Sequence, residues 1–246
     1  MSKLFSRRRL LAGLGAGGIA SVGGLALSTE AAKAYPNSDS LASTPLRYDW
    51  RETYNGTVVD GGTTVTGTDA GPRIAITDTV PGDWGTLSIR LQLADDAPSG
   101  DGVRPFVTLD LTATPENGIN DAESHLDDSP NQGELQEFLT VSLWYDTGTM
   151  GIDAFGAENG IKDVGERLVH PDASGTLPSV AAVLSTPTLL DPGEADPGGD
   201  SCLSGDDSLG FVLGWKFDAD AGPNDVNVTQ SDGVAFDLGL TIEDCD

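Results

Sequence analysis

The run from Asp146 to Glu158 is the one local stretch whose acids fall near the spacing of a calcium loop. Such a loop takes oxygen ligands at positions 1, 3 and 5, glycine at 6 and a bidentate glutamate at 12. Asp146 and Gly151 fit positions 1 and 6, Gly148 and Met150 offer no side-chain oxygen, and Glu158 falls one residue late. The reading is a degraded loop. It leaves Asp146, Asp153 and Glu158 as a weak metal set, with Ca2+ as the only cofactor in view.

Other chemistry is sparse. His125 and His170 are the two histidines, and no His-x-x-x-His pair exists, so the usual zinc-protease helix is absent. There is no Gly-x-Ser-x-Gly elbow. Two cysteines cannot make a structural zinc centre. Carboxylates are so abundant that pairing any two as acid and base would carry no information. An enzyme is therefore not expected.

The N-terminus carries an address. Lys3, Arg7, Arg8 and Arg9 precede an uncharged apolar run from Leu10 to Leu27, and Ala32-Lys33-Ala34 fits the small-x-small rule of a processing peptidase. Arg7 and Arg8 with Leu10-Leu11 fit the twin-arginine form, which implies export of a folded protein. Residues 1–34 are read as the export signal, cut after Ala34. An uncleaved anchor and a pilin-type signal are the alternatives. The apolar run is short and glycine-rich for a stable span.

Charge bounds the partners. The chain has 39 acidic and 13 basic residues, a formal net charge of -26. The leader takes away five basic residues and one acidic one, leaving 38 acidic and 8 basic and a net of -30. Such a surface repels nucleic acid and anionic lipid. It also repels itself, until molar salt shortens the Debye length to roughly 3 Å. The acids are spread along the chain, and Lys162 and Lys216 are the only lysines after Lys33. That pattern reads as salt adaptation, with an acidic cation-binding surface as the alternative.

Cys202 and Cys245 are expected to pair, since export permits a disulfide. The bond would tie the chain end to the domain. Asn55 and Asn227 head glycosylation sequons in turn-like surroundings. Trp50, Trp84, Trp144 and Trp215 sit at or near strand ends, where core plugs are the commoner use.

The elements that must carry these groups are strands. Leu46–Trp50, Arg73–Thr77, Trp84–Leu93, Phe106–Thr112, Phe138–Tyr145, Leu209–Phe217 and Val234–Ile242 alternate apolar and polar residues. Trp84–Leu93 is the best of them and reads as half-buried. Val58–Thr68 suggests a weak hairpin. Pro115–Gln132 is a long acidic loop holding Asp121, Glu123, Asp127 and Asp128. Val180–Leu184 and Thr188–Leu190 fit a short helix or a strand, and Glu134–Phe138 a helical turn. The fold class expected is all-β, a jelly-roll-like β-sandwich with long acidic loops. Residues 35–45 are expected as a flexible segment and 46–246 as a single domain.

In its leader, in Leu46-Arg47-Tyr48-Asp49-Trp50, in Pro81-Gly82-Asp83-Trp84-Gly85, in Val141-Ser142-Leu143-Trp144-Tyr145-Asp146, and in Phe236-Asp237-Leu238-Gly239-Leu240 running to Cys245, the chain resembles the TasA/camelysin family of exported β-sandwich proteins. The resemblance implies a jelly-roll-like sandwich exported to the cell surface or extracellular matrix. It also implies polymerisation by strand addition, an N-terminal segment of one subunit completing the sheet of the next. The donor would lie in Tyr35–Thr44. The expected function is thus a secreted structural protein, a filament subunit whose partner is itself or a related surface subunit. No nucleic acid and no stable membrane span after processing are expected. A secreted binding module for glycan, metal or a surface partner, and a camelysin-like metallopeptidase, are the alternatives.

Overall fold

Alternating runs of branched and aromatic residues, punctuated by Gly, Pro, Asn and Asp, dictate strands rather than helices through most of this chain. The computed structural model describes residues 35–40, 45–59, 65–66, 71–94, 102–121, 123–127, 131–148, 157–195, 201–205, 207–223 and 225–245. Its strands form two sheets. One runs β1 (Asn37–Ser40), β2 (Leu46–Tyr54), β6 (Trp84–Leu93), β11 (Ser208–Phe217), β8 (Leu139–Tyr145), β9 (Ser174–Thr176), with β3 (Thr57–Val58) also on β2. The other runs β10 (Thr188–Leu189), β7 (Val103–Ala113), β12 (Gly233–Asp244), β5 (Pro72–Thr77), β4 (Val65–Thr66). Every strand pairing among them is antiparallel.

The expected all-β jelly-roll sandwich is not what forms. Both sheets are open, and three α-helices stand among the described residues: α1 (Leu135–Phe138), α2 (Leu177–Val183) and α3 (Pro192–Ala195). The fold is mixed α/β. The reason is legible in α2. Leu177, Val180, Ala181 and Leu184 recur at helical spacing and are all buried, and Pro178 sits in the first turn, where its missing N–H costs nothing. The expected hairpin over 58–68 also divides. Val58 pairs with Thr53 in one sheet, whereas Val65 pairs with Arg73 in the other.

One core joins the sheets and helices. Leu46, Tyr48 and Trp50 of β2, Leu87, Ile89 and Leu91 of β6, and Phe211 and Leu213 of β11 share it with Val107, Leu109, Phe236 and Leu238 of the second sheet. Leu177, Val180 and Leu184 belong to the same cluster, so α2 is part of the core and not an ornament. Trp50, Trp144 and Trp215 are buried, and Trp84 is exposed.

The far side of the first sheet departs from a half-buried strand. Thr86 and Ser88 of β6 are buried as well as the apolar residues beside them. The cover comes from the chain after β8. Gly160 sits so close over the sheet that an added Cβ would lie 2.7 Å from Ser88 Oγ and 3.0 Å from Arg51 Nη2. Its φ of +75° is one that glycine adopts without strain.

Candidate functional site

Register on the covered face lines up charge. Asp49 and Arg51 of β2 stand opposite Arg90 and Ser88 of β6. Arg90 donates to Asp49 Oδ2 at 2.8 Å, and Arg47 donates to Asp49 Oδ1 at 3.1 Å. Arg51 is only 1% exposed, and its Nη2 donates to Ser88 Oγ at 3.2 Å and to the Glu158 carbonyl at 3.1 Å. Burial alone would raise the Asp49 carboxyl, but bonds from Arg90, Ser38 and Arg47 outweigh it and hold the group below its ordinary value.

The N-terminal segment docks on this cluster. Strand β1 lies antiparallel on β2, with Asn37 opposite Trp50 and Ser40 opposite Arg47. The ring of Tyr35, two residues before β1, faces the guanidinium groups of both Arg51 and Arg90. Such pairs hold by attraction of the cation to the ring quadrupole. Burial, then the nearby Glu158 and Asp146 charges, push the Tyr35 hydroxyl well above its usual range, so the phenol stays neutral. On the same edge of β2, β3 covers Thr53 and Tyr54.

The expected metal residues fall beside this seat. Asp146 is buried, and its Oδ2 accepts from the Gly160 N–H at 2.7 Å. Burial chiefly, with Glu166 adding, pushes its carboxyl up to about 7, while the Gly160 N–H and Arg51 pull the other way. Glu158 donates its N–H to the Asp146 carbonyl and turns its carboxylate toward Arg90 at 3.8 Å. Asp153 lies outside the described residues, as do Arg7, Arg8, Ala32 and Ala34. Asp146 and Glu158 thus come together around two arginines.

Cys202 and Cys245 are bonded, with Cα atoms 6.4 Å apart. Asn55 occupies a turn at φ +47°, where its amide donates to Asp83 Oδ1 and accepts from the Trp84 N–H. Asn227 lies in a short 3-10 helix, donates to Asp225 Oδ1 and accepts from Gln230.

A second constellation was missed in the sequence. Glu116 follows β7, Glu123 lies in the turn beyond it, and Asp232 immediately precedes β12; one ligand atom from each lies within 4.8 Å of the others. Glu116, Asp127 and Glu134 satisfy the same condition. Burial first, then Asp232, Asp127 and Glu123, push the Glu116 carboxyl up to about 7; burial and the charges of Glu134 and Glu123 push Asp232 up to about 6, against the pull of the Glu134 N–H. Among the described residues, neither His125 nor His170 enters a group of three metal-ligating side chains.

No family model matches this chain, and no curated protein matches it. The resemblance to TasA/camelysin proteins therefore rests on the quoted motifs alone, and its jelly-roll part is overturned by the open sheets and helices. No helix among the described residues is long and apolar enough to cross a membrane.

Proposed function

We propose that this chain is an exported structural protein of the cell surface or matrix whose subunits join by exchanging strand β1. The observation that supports the reading is the seat of β1. It is a four-residue polar strand laid on the outer edge of β2, pinned by a tyrosine and one short ladder. A strand this short is weak on its own and owes its place to what it docks on. The same ladder made by the β1 of a neighbouring copy on Arg47–Trp50 would link subunits without any new surface. The leader residues and the acidic surface support an extracellular setting.

The test locks the strand. Ser40 and Arg47 are directly opposed, so a Ser40→Cys/Arg47→Cys pair would hold β1 on its own β2. The protein purified at multimolar salt is imaged by negative-stain electron microscopy, with its N-terminus read by mass spectrometry. Fibres in the parent that vanish in the locked variant are expected. Monomers at every salt concentration, or fibres whose locks a non-reducing gel shows to be closed within single chains, overturn the reading.

A further inference from the structure

Two segments converge at one end of the second sheet and deliver three carboxylates. The loop after β7 brings Glu116 and Glu123, and the turn before β12 brings Asp232. The backbone is built to hold them there. Asn120 donates its N–H to Glu123 Oε2 at 2.6 Å, and the Glu134 N–H donates to Asp232 Oδ2 at 2.6 Å. Gly233 N–H donates to the Pro115 carbonyl, Asn117 Nδ2 to the Ser231 carbonyl, and Ser231 Oγ to the Gly118 carbonyl. Gly133 passes so near that an added Cβ would lie 2.8 Å from the carboxylate carbon of Asp232.

The inward oxygens face other carboxyl groups, Glu116 against Asp232, and no N–H or hydroxyl reaches them. Glu116 is 6% exposed and neither of its carboxylate oxygens accepts a hydrogen bond. Glu123 is 0% exposed, and its Oε1 is unpartnered; the same holds for Oδ1 of Asp232, at 3% exposure. Among the described residues, none of the three is ion-paired to a basic side chain. Buried carboxylates are ordinarily paired, hydrogen-bonded or bound to metal. Glu123 and Asp232 each have one oxygen fixed by a backbone N–H and one bare, and Glu116 has both bare, which leaves four buried oxygens with neither a basic side chain nor a hydrogen-bond donor.

We infer that Glu116, Glu123 and Asp232 are ligands of a structural divalent cation of the calcium class, which fastens the β7 loop to the start of β12. The donors are all carboxylate oxygens, which suit hard cations and disfavour zinc. Oxygens within 4.8 Å of one another can share one ion at the roughly 2.3–2.6 Å of calcium. Magnesium demands near-ideal octahedral geometry and sheds its water reluctantly, so an all-carboxylate cage suits it less. Asp127 and Glu134 lie against Glu116 in the second triad. This site is separate from the Asp146 stretch and independent of any strand exchange.

The full mature chain is stripped with chelator and titrated with CaCl2 and MgCl2 in molar NaCl, which suppresses loose binding to the acidic surface. Calorimetry reads stoichiometry, and thermal melting reads stabilisation. Saturable calcium binding, a rise in Tm with calcium and a weaker response to magnesium are expected. Glu116→Gln and Glu123→Gln each remove one repelling charge. They should melt no lower than the parent in chelator and lose at least about tenfold in calcium affinity. Asp172→Asn, an exposed acid outside both triads, should bind as the parent does. Absence of saturable calcium binding in the parent overturns the inference, and so does parental affinity in both glutamine variants. Calcium retained through gel filtration and measured by elemental analysis gives a readout that needs no variant; a parent holding less than a tenth of an equivalent likewise overturns it.

Discussion

The ring of Tyr35 lies 4.7 Å from the guanidinium carbon of Arg90 and 5.5 Å from that of Arg51. One aromatic residue ahead of β1 therefore touches the two arginines that also organise Asp49 and Glu158. The strand and the charged cluster beneath it stand or fall together.

Replacing Tyr35 by alanine should loosen β1 without unfolding the core. Losing both cation–ring contacts costs about 1–2 kcal/mol locally. Hydrogen exchange should accelerate at the amides of β1, while those of β6 and β11 keep their protection. Tyr35→Phe should behave as the parent, because the ring and not the hydroxyl makes the contact. Unchanged exchange in Tyr35→Ala would mean the ring is incidental.

Acid should release the same strand. Asp49 sits below its ordinary carboxylate value, so its charged form is favoured by folding. Its contribution is complete above the unfolded value of about 4 and is lost as pH falls through the lower folded value. Limited proteolysis near residue 40 should thus be slow at pH 6 and rise below about pH 4. Asp49→Asn should be cut quickly at both. Equal cutting of the parent at the two pH values would dismiss the role given to Asp49.

Gly160→Ala should be costly. The new Cβ would meet Ser88 Oγ at 2.7 Å and Arg51 Nη2 at 3.0 Å, on a backbone of φ +75°. Backbone strain and overpacking together predict a loss of about 2–4 kcal/mol. Urea melts would show a lower midpoint with an unchanged slope. A loss under about 0.5 kcal/mol would mean the cover over β6 gives way easily.

Cys202→Ser with Cys245→Ser should free the end of β12. The bond spans 43 residues, a loop worth up to about 4 kcal/mol in the chain-entropy model. Tm should fall by about 10 °C in a domain of this size. Leu203, paired across a β-bridge to Val103, should be among the first amides to lose protection. An unaltered Tm would place the stability of this corner in its backbone pairing alone.

How much of this could be read from residue order varies by element. Trp84–Leu93 was legible to the residue, because Leu87, Ile89, Leu91 and Leu93 alternate and Pro81-Gly82 marks the turn before them. Val180–Leu184 fits a helix or a strand by residue order, whereas the helix formed runs Leu177–Val183, and seven residues are too few for periodicity to decide. The buried state of Arg51 was hidden. It sits on the polar side of β2, and its cover comes from residues more than a hundred positions later. Among the carboxylates, Glu123 and Asp127 drew notice only as acids in a long loop. Asp232 lies more than a hundred residues beyond Glu123, and nothing but the sheet topology brings it across. The signal that could have raised it is local: Asn117-Gly118 and Ser231-Asp232-Gly233 each put a turn former next to an acid at a strand end.

The margins of the two sheets are short: two residues in β4 and β10, three in β9, four in β1. In concentrated brine the electric repulsion between such acidic molecules fades within a few ångströms. Crowding alone would then bring their flanks together. A two-residue border gives an approaching backbone too few rungs to grip, so collisions there end in separation. Lifting the tethered β1 uncovers a longer border, Arg47 to Trp50. In the proposed strand exchange, joining of two copies would begin at that border and with that single event.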